Sequence, residues 1–215
     1  MARSALVTGG TGRVGGAICA RLEAEGFSVL AAGRRDGDVR RPEEARRLVE
    51  RAARDLGGLD VLVNAAAEGF APRPFADVGE DDWDAELDST AKGSFFVTQA
   101  AAPHLARSDL GLVVMVEDVA AYQPWPSFAP HCAAKAAQAM LTRVLARALA
   151  PDVRVCGVAP GPVAVAPDQV ERRAAETLLG RVGSPEDVAE AVLYLVRAPF
   201  VTGTSLVVDG GRLLT

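Results

Sequence analysis

Three polar side chains, Asp118, His131 and Lys135, have types and spacing that could move a proton. His131 and Lys135 are four residues apart in an alanine-rich helical segment, so their side chains lie on one helix face. Imidazolium is a competent acid near neutral pH; Lys135 would lower the pKa of His131, and a nearby Asp118 would raise it. The pattern predicts an Asp–His–Lys acid–base cluster. One alternative stays open, in which His131 fills space and relays no proton.

A glycine-rich turn near the start of the chain has the composition of a phosphate-binding loop. Residues 8–15 read T-G-G-T-G-R-V-G, in which Gly10, Gly12 and Gly15 satisfy the pattern G-x-G-x-x-G. Small residues let the backbone approach a pyrophosphate, and the start of a following helix offers free N–H groups. Because the turn follows a strand-like run and precedes a helical one, the sequence predicts a dinucleotide site.

Two arginines indicate which dinucleotide the site prefers. Arg34 and Arg35 directly follow the second strand-like run. A carboxylate at this place would accept from a free ribose 2′-hydroxyl, whereas planar guanidinium groups suit a 2′-phosphate. We therefore expect NADP (as NADPH) to be the cofactor. Asp36 is the competing acidic residue, one or two positions too late for the strand tip.

Alternating strand-like and helical runs must position these groups. Apolar runs predict buried strands at 4–8, 29–32, 61–63, 113–116, 153–158 and 205–208, and helical spacing occurs at 15–25, 42–56, 83–106, 133–150 and 185–196. This alternation predicts an α/β fold, a Rossmann-type doubly wound parallel sheet with helices on both faces. No repeat or linker interrupts it, so we expect one domain over residues 1–215.

Composition excludes several other classes of protein. Hydrophobic residues make up 49% and charged residues 24% of the 215, enough for one sizeable core. The net charge of −5 argues against a nucleic-acid or anionic-membrane partner. Cys19, Cys132 and Cys156 have no metal-type spacing, so no metal site is expected. With no membrane-length apolar run and no signal-peptide segment, we expect a soluble cytoplasmic protein acting on a small-molecule substrate.

Further pieces of the sequence, taken with the glycine turn, resemble the short-chain dehydrogenase/reductase family over essentially the whole chain. They are D-V at 38–39, V-N-A-A at 63–66, the helix residues 93–99, A-P-G-P-V at 159–163 and V-D-G-G at 208–211. The resemblance implies about seven strands in the order 3-2-1-4-5-6-7, NAD(P) binding and commonly a homotetramer. The connection between the second and third strands is shortened here. The cofactor residues so implied are Gly9, Thr11, Gly12, Arg13, Val14, Gly15, Arg34, Arg35, Asp38, Val39, Asn64, Ala65, Ala66, Lys135, Pro160, Gly161 and Val163.

Within the family the chain is similar to the pteridine reductase branch. Arg13 stands where most members have the second glycine, and Asp118 stands where most have the catalytic serine; that branch carries arginine and aspartate there. The loop at 118–124 also resembles the loop of that branch.

Other positions depart from the family pattern. The family's tyrosine, four residues before the lysine, falls at His131, and its helix asparagine falls at Thr90. The resemblance implies that Lys135 holds the cofactor ribose. Asp118, His131, Lys135 and Thr90 are therefore the candidate catalytic residues.

Three aromatic residues are predicted to lie over the carboxyl edge of the sheet. Phe70 follows the third strand-like run of this chain, and Tyr122 and Trp125 follow the next. Doubly wound folds bind substrate at that edge, where these rings could stack on a flat substrate or only pack a loop.

Three functional hypotheses follow. The first is an NADPH-dependent, pteridine-reductase-like enzyme that transfers hydride to a small C=N or C=O substrate. The second is a catalytically silent or regulatory NADP-binding homologue, and the third is a 3-oxoacyl or carbonyl reductase. Weakly polar faces on helices 83–106 and 133–150 predict a homo-oligomer, either a dimer or a tetramer.

Overall fold

Six parallel strands form the central sheet of this computed structural model, which describes residues 2–68 and 71–215. In chain order they are β1 (Ser4–Thr8), β2 (Ser28–Ala32), β3 (Val61–Asn64), β4 (Leu112–Val116), β5 (Arg154–Pro160) and β6 (Ser205–Val208). Their order across the sheet is β2-β1-β3-β4-β5-β6, and each neighbouring pair is parallel. The strands agree within two residues with the apolar runs of the sequence, and the predicted single α/β doubly wound domain is confirmed.

Helices cover both faces of the sheet. They are α1 (Arg13–Ala24), α2 (Pro42–Asp55), α3 (Glu80–Leu87), α4 (Gly93–Leu105), α5 (Ala129–Leu149), α6 (Val170–Ala175) and α7 (Pro185–Arg197). Successive strand side chains point to opposite faces. Ala5 and Val7 therefore pack against α1 and α7, whereas Leu6 packs into the core made with α2, α4 and α5. Both layers are apolar, and so the strands read as continuous hydrophobic runs.

The prediction of about seven strands in the order 3-2-1-4-5-6-7 is wrong in its count. The observed order is the expected one without the third strand at the β2 edge. Only residues 33–41 connect β2 to α2, and they form a 3₁₀ turn (Arg34–Asp36) followed by Gly37. Gly37 has φ of +157° and turns the chain directly toward α2. The predicted shortening of this connection is confirmed, and it removes the edge strand altogether.

Two helices differ from their predicted bounds in ways that matter for the site. The helical segment predicted at 83–106 starts at Glu80 and contains a π-helical turn, Asp88–Lys92, between α3 and α4. The segment predicted at 133–150 starts at Ala129, so His131 lies in the first turn of α5. Within residues 2–68 and 71–215, no helix has the length and apolar character needed to cross a membrane.

Candidate active site and cofactor groove

A cavity of about 340 Å³ lies at the carboxyl end of the sheet, beyond β1, β2 and β3. The predicted cofactor residues that line it are Gly9, Thr11, Gly12, Arg13, Val14, Gly15, Arg34, Asp38, Val39, Ala65 and Ala66. The other predicted cofactor residues all belong to the described part of the chain but do not line this cavity: Arg35, Asn64, Lys135, Pro160, Gly161 and Val163. The cavity therefore combines the glycine turn, the β2 tip and the end of β3.

Close backbone contacts explain the glycines of the turn. Gly9 has φ of +67°, and a Cβ built there would lie 2.5 Å from the carbonyl oxygen of Ala65. A Cβ on Gly15 would lie 2.2 Å from the carbonyl oxygen of Gly9. Gly12 is the N-cap of α1 and supplies no side-chain acceptor, so the first N–H groups of that helix stay available to an anion. The tight turn thus requires glycine at positions 9 and 15, and the N–H groups at the start of α1 fit the pyrophosphate of a dinucleotide.

Opposite charges face each other where the cavity meets the β2 tip. Arg34 donates to Glu68 at 2.9 Å, and Arg40 lies 3.6 Å from the same carboxylate. Arg40 also donates to both carboxylate oxygens of Asp38 at 2.7 to 3.0 Å, and these bonds lower the pKa of Asp38. Asp38 is thus already engaged, and Arg34 and Arg40 are the guanidinium groups next to the β2 tip.

Asp36 is committed to a different role from ribose binding. One of its oxygens accepts from the backbone N–H of Gly33 at 2.9 Å, and the other accepts from Arg51 at 3.0 Å. The Gly33 bond, followed by the Arg51 bond, lowers the pKa of Asp36. Asp36 caps the 3₁₀ turn and does not line the cavity. Arg34 does line it, so Arg34 is the residue that faces the groove.

Other predicted cofactor residues make contacts within the protein and do not line this groove. Asn64 is buried and donates to Thr98 at 3.0 Å, which ties β3 to α4. Pro160 pairs with β6, and the N–H of Gly161 donates to the carbonyl of Val208. Val163 forms a bridge with Gly183 and lines a second cavity of about 390 Å³. Arg13 reaches toward this region by donating to the carbonyl of Val165 at 3.4 Å.

The predicted acid–base residues come together between the end of β4 and the start of α5. His131 Nε2 lies 3.6 Å from Asp118 Oδ2, and His131 Nδ1 lies 3.2 Å from Glu86 Oε2 at the end of α3. The His131 side chain is 8% exposed. Asp118 is held in place because its Oδ1 accepts from the backbone N–H of Ala120 at 2.7 Å. The imidazole is thus flanked by two carboxylates, of which the sequence predicted one.

The two carboxylates raise the pKa of the imidazole against the effect of burial. Burial favours neutral His131, but the interactions with Asp118 and Glu86 outweigh it and raise the pKa of His131 above its ordinary value. Lys135 acts in the opposite direction and is the smallest of these influences. The sequence left the balance between Lys135 and Asp118 open, and in the structure the carboxylates outweigh Lys135, so the pKa of His131 is raised.

Lys135 is buried beneath His131. Its ammonium donates to the carbonyl of Val116 at 2.8 Å and to Gln138 at 3.3 Å. Burial lowers the pKa of Lys135, and Asp118, Glu86 and Glu117 counteract it. The cation therefore lies at the carboxyl end of β4, beside the cluster, as its spacing from His131 requires.

Thr90 lies in the π-helical turn between α3 and α4. Its side chain is fully buried, and its hydroxyl has no hydrogen-bond partner among the described residues. Such turns often occur at functional sites. Here the turn begins two residues after Glu86, directly after the end of α3.

Of the predicted substrate aromatics, the structure describes Tyr122 and Trp125, and both make contacts close to their own loop. Phe70 lies outside the described residues. The hydroxyl of Tyr122 donates to the buried Glu117 at 3.1 Å, and the residue is 41% exposed. Trp125 packs edge-on against Phe128 with ring centroids 6.1 Å apart. For Tyr122 and Trp125, the structure favours the alternative of loop packing.

Three functional candidates were missed by sequence reasoning. Glu86 has no regular spacing from His131, Glu68 follows the end of β3 by four residues, and Arg40 follows Asp38 by two. Of these, only Arg40 carried a signal, because an arginine two residues from an aspartate in a tight connection commonly pairs with it. The roles of Glu86 and Glu68 arise from tertiary contacts.

A doubly wound parallel sheet with a glycine turn after its first strand defines a dinucleotide-binding protein of the Rossmann type. A family model described as "Enoyl-(Acyl carrier protein) reductase" matches residues 14–212. The chain belongs to the short-chain dehydrogenase/reductase family, whose members use nicotinamide cofactors and act on small molecules. This confirms the family resemblance, while the pteridine reductase branch and the tyrosine replacement stay predictions.

Individual relatives are oxidoreductases. The chain is 39% identical to the granaticin polyketide synthase ketoacyl reductase 2 of Streptomyces violaceoruber, covering 96% of this chain and 94% of that protein. It is 34% identical to human dehydrogenase/reductase SDR family member 4, covering 96% and 86%. Among solved structures, a 7α-hydroxysteroid dehydrogenase complexed with NADH and 7-oxo glycochenodeoxycholic acid superposes with a TM-score of 0.89 at 26% identity, covering 97% and 93%.

Proposed function

We propose that this protein is an NADPH-dependent reductase that reduces a small C=O or C=N substrate, with His131 as the proton donor. The observation that carries the proposal is the buried imidazole of His131 between Asp118 and Glu86, beside the cation of Lys135. This arrangement raises the pKa of His131, which keeps an acid available near neutral pH. The cluster lies at the carboxyl edge of the sheet, where doubly wound folds bind substrate.

The residues divide the work of reduction between cofactor and proton. A bound nicotinamide cofactor would supply the hydride. The glycine turn and Arg34 would hold its phosphates, and Lys135 would hold its ribose. His131 gives its proton to the substrate oxygen or nitrogen that gains negative charge, and then regains a proton from solvent. Asp118 stabilises the imidazolium form before transfer.

The preference for NADPH is supported by charge at the β2 tip. Arg34 and Arg40 both face the cavity, whereas Asp36 is occupied by Gly33 and Arg51. A guanidinium group donates well to a 2′-phosphate. Glu68 competes for the same guanidinium groups. The strength of the preference for NADPH therefore depends on how readily the 2′-phosphate displaces the Glu68 carboxylate from them.

Two substrate classes are to be compared. Arg13 and Asp118 are the features by which the chain resembles the pteridine reductase branch, and they favour a pterin. The 39% identical Streptomyces protein is named a ketoacyl reductase, which favours a 3-oxoacyl or other carbonyl substrate. The test is a screen for NADPH oxidation with pterins, quinones and 3-oxoacyl thioesters. Turnover of one class, lost in His131→Ala, supports the proposal; turnover unaffected by that substitution contradicts it.

A second candidate function is a nucleotide-binding homologue without turnover. It is favoured by the histidine at 131 and the threonine at 90, where the family resemblance implies tyrosine and asparagine. Calorimetric binding of NADPH without turnover in the same screen would support it. In that case His131→Tyr is the informative variant, because it supplies the implied phenol and should create activity.

A further inference from the structure

We infer that Glu86 is a positioning residue: it holds the proton on Nδ1 of His131 and thereby makes Nε2 the atom that gives and regains a proton. Glu86 is the next-to-last residue of α3, and its Oε2 lies 3.2 Å from His131 Nδ1. Both side chains are largely buried, 13% and 8% exposed, respectively. Nothing in the family resemblance or in the acid–base pattern of the sequence assigns a role to this residue.

The chemistry of the two groups fixes which nitrogen carries the proton. An ionised carboxylate accepts hydrogen bonds and cannot donate them, so a bond to Glu86 requires a proton on Nδ1. The neutral ring is then the Nδ1–H tautomer, and protonation at Nε2 completes the imidazolium. A carboxylate on one ring nitrogen thus orients the ring and sets its tautomer, while the other nitrogen performs the transfer.

Asp118 cannot take over the role of Glu86, because it contacts the other ring nitrogen of His131. Asp118 Oδ2 lies 3.6 Å from Nε2, a longer contact than that of Glu86, and Oδ1 already accepts from the N–H of Ala120. Asp118 therefore lies on the side of the ring where the proton would leave. The charged groups around the ring are Glu86 from α3, Asp118 after β4, and Lys135 on α5.

Removing the charge of Glu86 should have two separable effects. Glu86→Gln keeps the shape but leaves the imidazolium with one carboxylate, so the pKa of His131 falls. It also weakens the selection of the Nδ1–H tautomer. As a general acid His131 must be protonated, so kcat is lost as the pH rises through its pKa, and in Glu86→Gln this loss moves to lower pH. The kinetic part rests on the proposed reductase function; the tautomer and the pKa do not.

The test is a pH titration of ¹⁵N-histidine-labelled full-length protein by NMR, in the wild type and in Glu86→Gln. The chain has only two histidines, so His104 on α4 provides a reference within the same spectrum. Asp84→Asn is the matched control, because Asp84 is exposed on the same helix and also loses one negative charge. We expect neutral wild-type His131 to be the Nδ1–H tautomer, a lower pKa and a mixed tautomer in Glu86→Gln, and wild-type behaviour in Asp84→Asn.

Kinetics with the best substrate of the screen supply the second readout. A positioned acid contributes about 10²–10⁴-fold, so its partial loss in Glu86→Gln should lower kcat roughly 10- to 100-fold at alkaline pH. Lowering the pH should restore part of the kcat of Glu86→Gln, and KM should change little. A purely structural role would move neither the pH profile nor the tautomer.

Several outcomes would overturn the inference. An Nε2–H tautomer in the neutral wild type contradicts it without any variant, so a failure of Glu86→Gln to fold leaves the question decidable. Identical titrations of His131 in the wild type and in Glu86→Gln also contradict it. If the wild type binds NADPH but reduces none of the substrates, the proposed function fails, whereas the tautomer still decides the role of Glu86.

Discussion

Replacing Arg34 by alanine tests the proposed preference for NADPH at the residue that lines the cavity beside the β2 tip. Arg34 lies at the β2 tip, lines the cavity and donates to Glu68 at 2.9 Å. A 2′-phosphate would have to take this guanidinium group from Glu68. We expect the wild type to bind NADPH at least tenfold more tightly than NADH, which corresponds to about 1.4 kcal/mol.

The expected size of the preference for NADPH follows from the two interactions that compete for the guanidinium group of Arg34. A hydrogen bond to a charged group contributes about 1.5–3 kcal/mol. The Arg34–Glu68 pair has side chains 66% and 20% exposed, and ion pairs of this exposure contribute about 0.2–1 kcal/mol. Exchanging the second for the first leaves about 0.5–2.8 kcal/mol, with a middle value of about 1.6 kcal/mol, or roughly 15-fold. Arg34→Ala should therefore weaken NADPH binding about tenfold and leave NADH binding within about twofold.

Calorimetric titration of both cofactors measures these ratios, and two further variants sharpen the result. Arg35→Ala is the matched control, since Arg35 is the neighbouring arginine but does not line the cavity. Glu68→Gln should increase the affinity for NADPH, because Arg34 and Arg40 lose their competing partner. Equal affinities for the two cofactors in the wild type, or the same NADPH/NADH ratio in Arg34→Ala, would refute the reasoning.

Three other predictions concern the acid, the glycine turn and the oligomer. His131→Ala should lower kcat about 10²- to 10⁴-fold while NADPH still binds by calorimetry; unchanged turnover would exclude His131 as the acid. Gly15→Ala should cost about 1–3 kcal/mol of stability in a denaturant titration, because its Cβ would lie 2.2 Å from a carbonyl oxygen. Gly16→Ala is its control, with a Cβ 3.6 Å from the nearest atom, and a similar loss there would argue against a steric cause. The exposed α5 residues Met140 and Val144 predict a dimer or tetramer in analytical ultracentrifugation, which a monomer at micromolar concentration would contradict.

The sheet could be predicted because its signal is local. The inner strands β3 and β4 are buried on both faces, so their residues 61–63 and 112–116 are apolar throughout and stand out from helical spacing. Helix starts were less certain for a physical reason. Pro130 is tolerated in the first turn of α5, where its missing N–H has no intrahelical partner, so the helix begins earlier than its alanine-rich body indicates.

The candidate site was predictable only where one element fixes the spacing. His131 and Lys135 share a face of α5, and Asp118 follows β4 at the sheet edge, so these three could be placed together from the sequence. Glu86 could not, because it reaches His131 from a separate helix, and the chain separates the two by 45 residues. The π-helical turn after α3 makes the position of Glu86 harder still to predict. The extra residue in such a turn rotates the helix, and apolar spacing does not show this rotation.

The absence of the edge strand determines which charged residues surround the cavity. Without it, residues 33–41 pass directly from β2 to α2, and the short connection brings Arg34, Asp38 and Arg40 around one side of the cavity. The proposed preference for NADPH therefore rests on a small network of ion pairs, in which Glu68 pairs with two arginines. The proposed acid His131 has a similar environment, because Asp118 and Glu86 together outweigh the effects of burial and of Lys135 on its pKa. In both places the decisive group is a carboxylate brought in by tertiary structure, so the motifs alone identify the family but not the balance of charge that sets its chemistry.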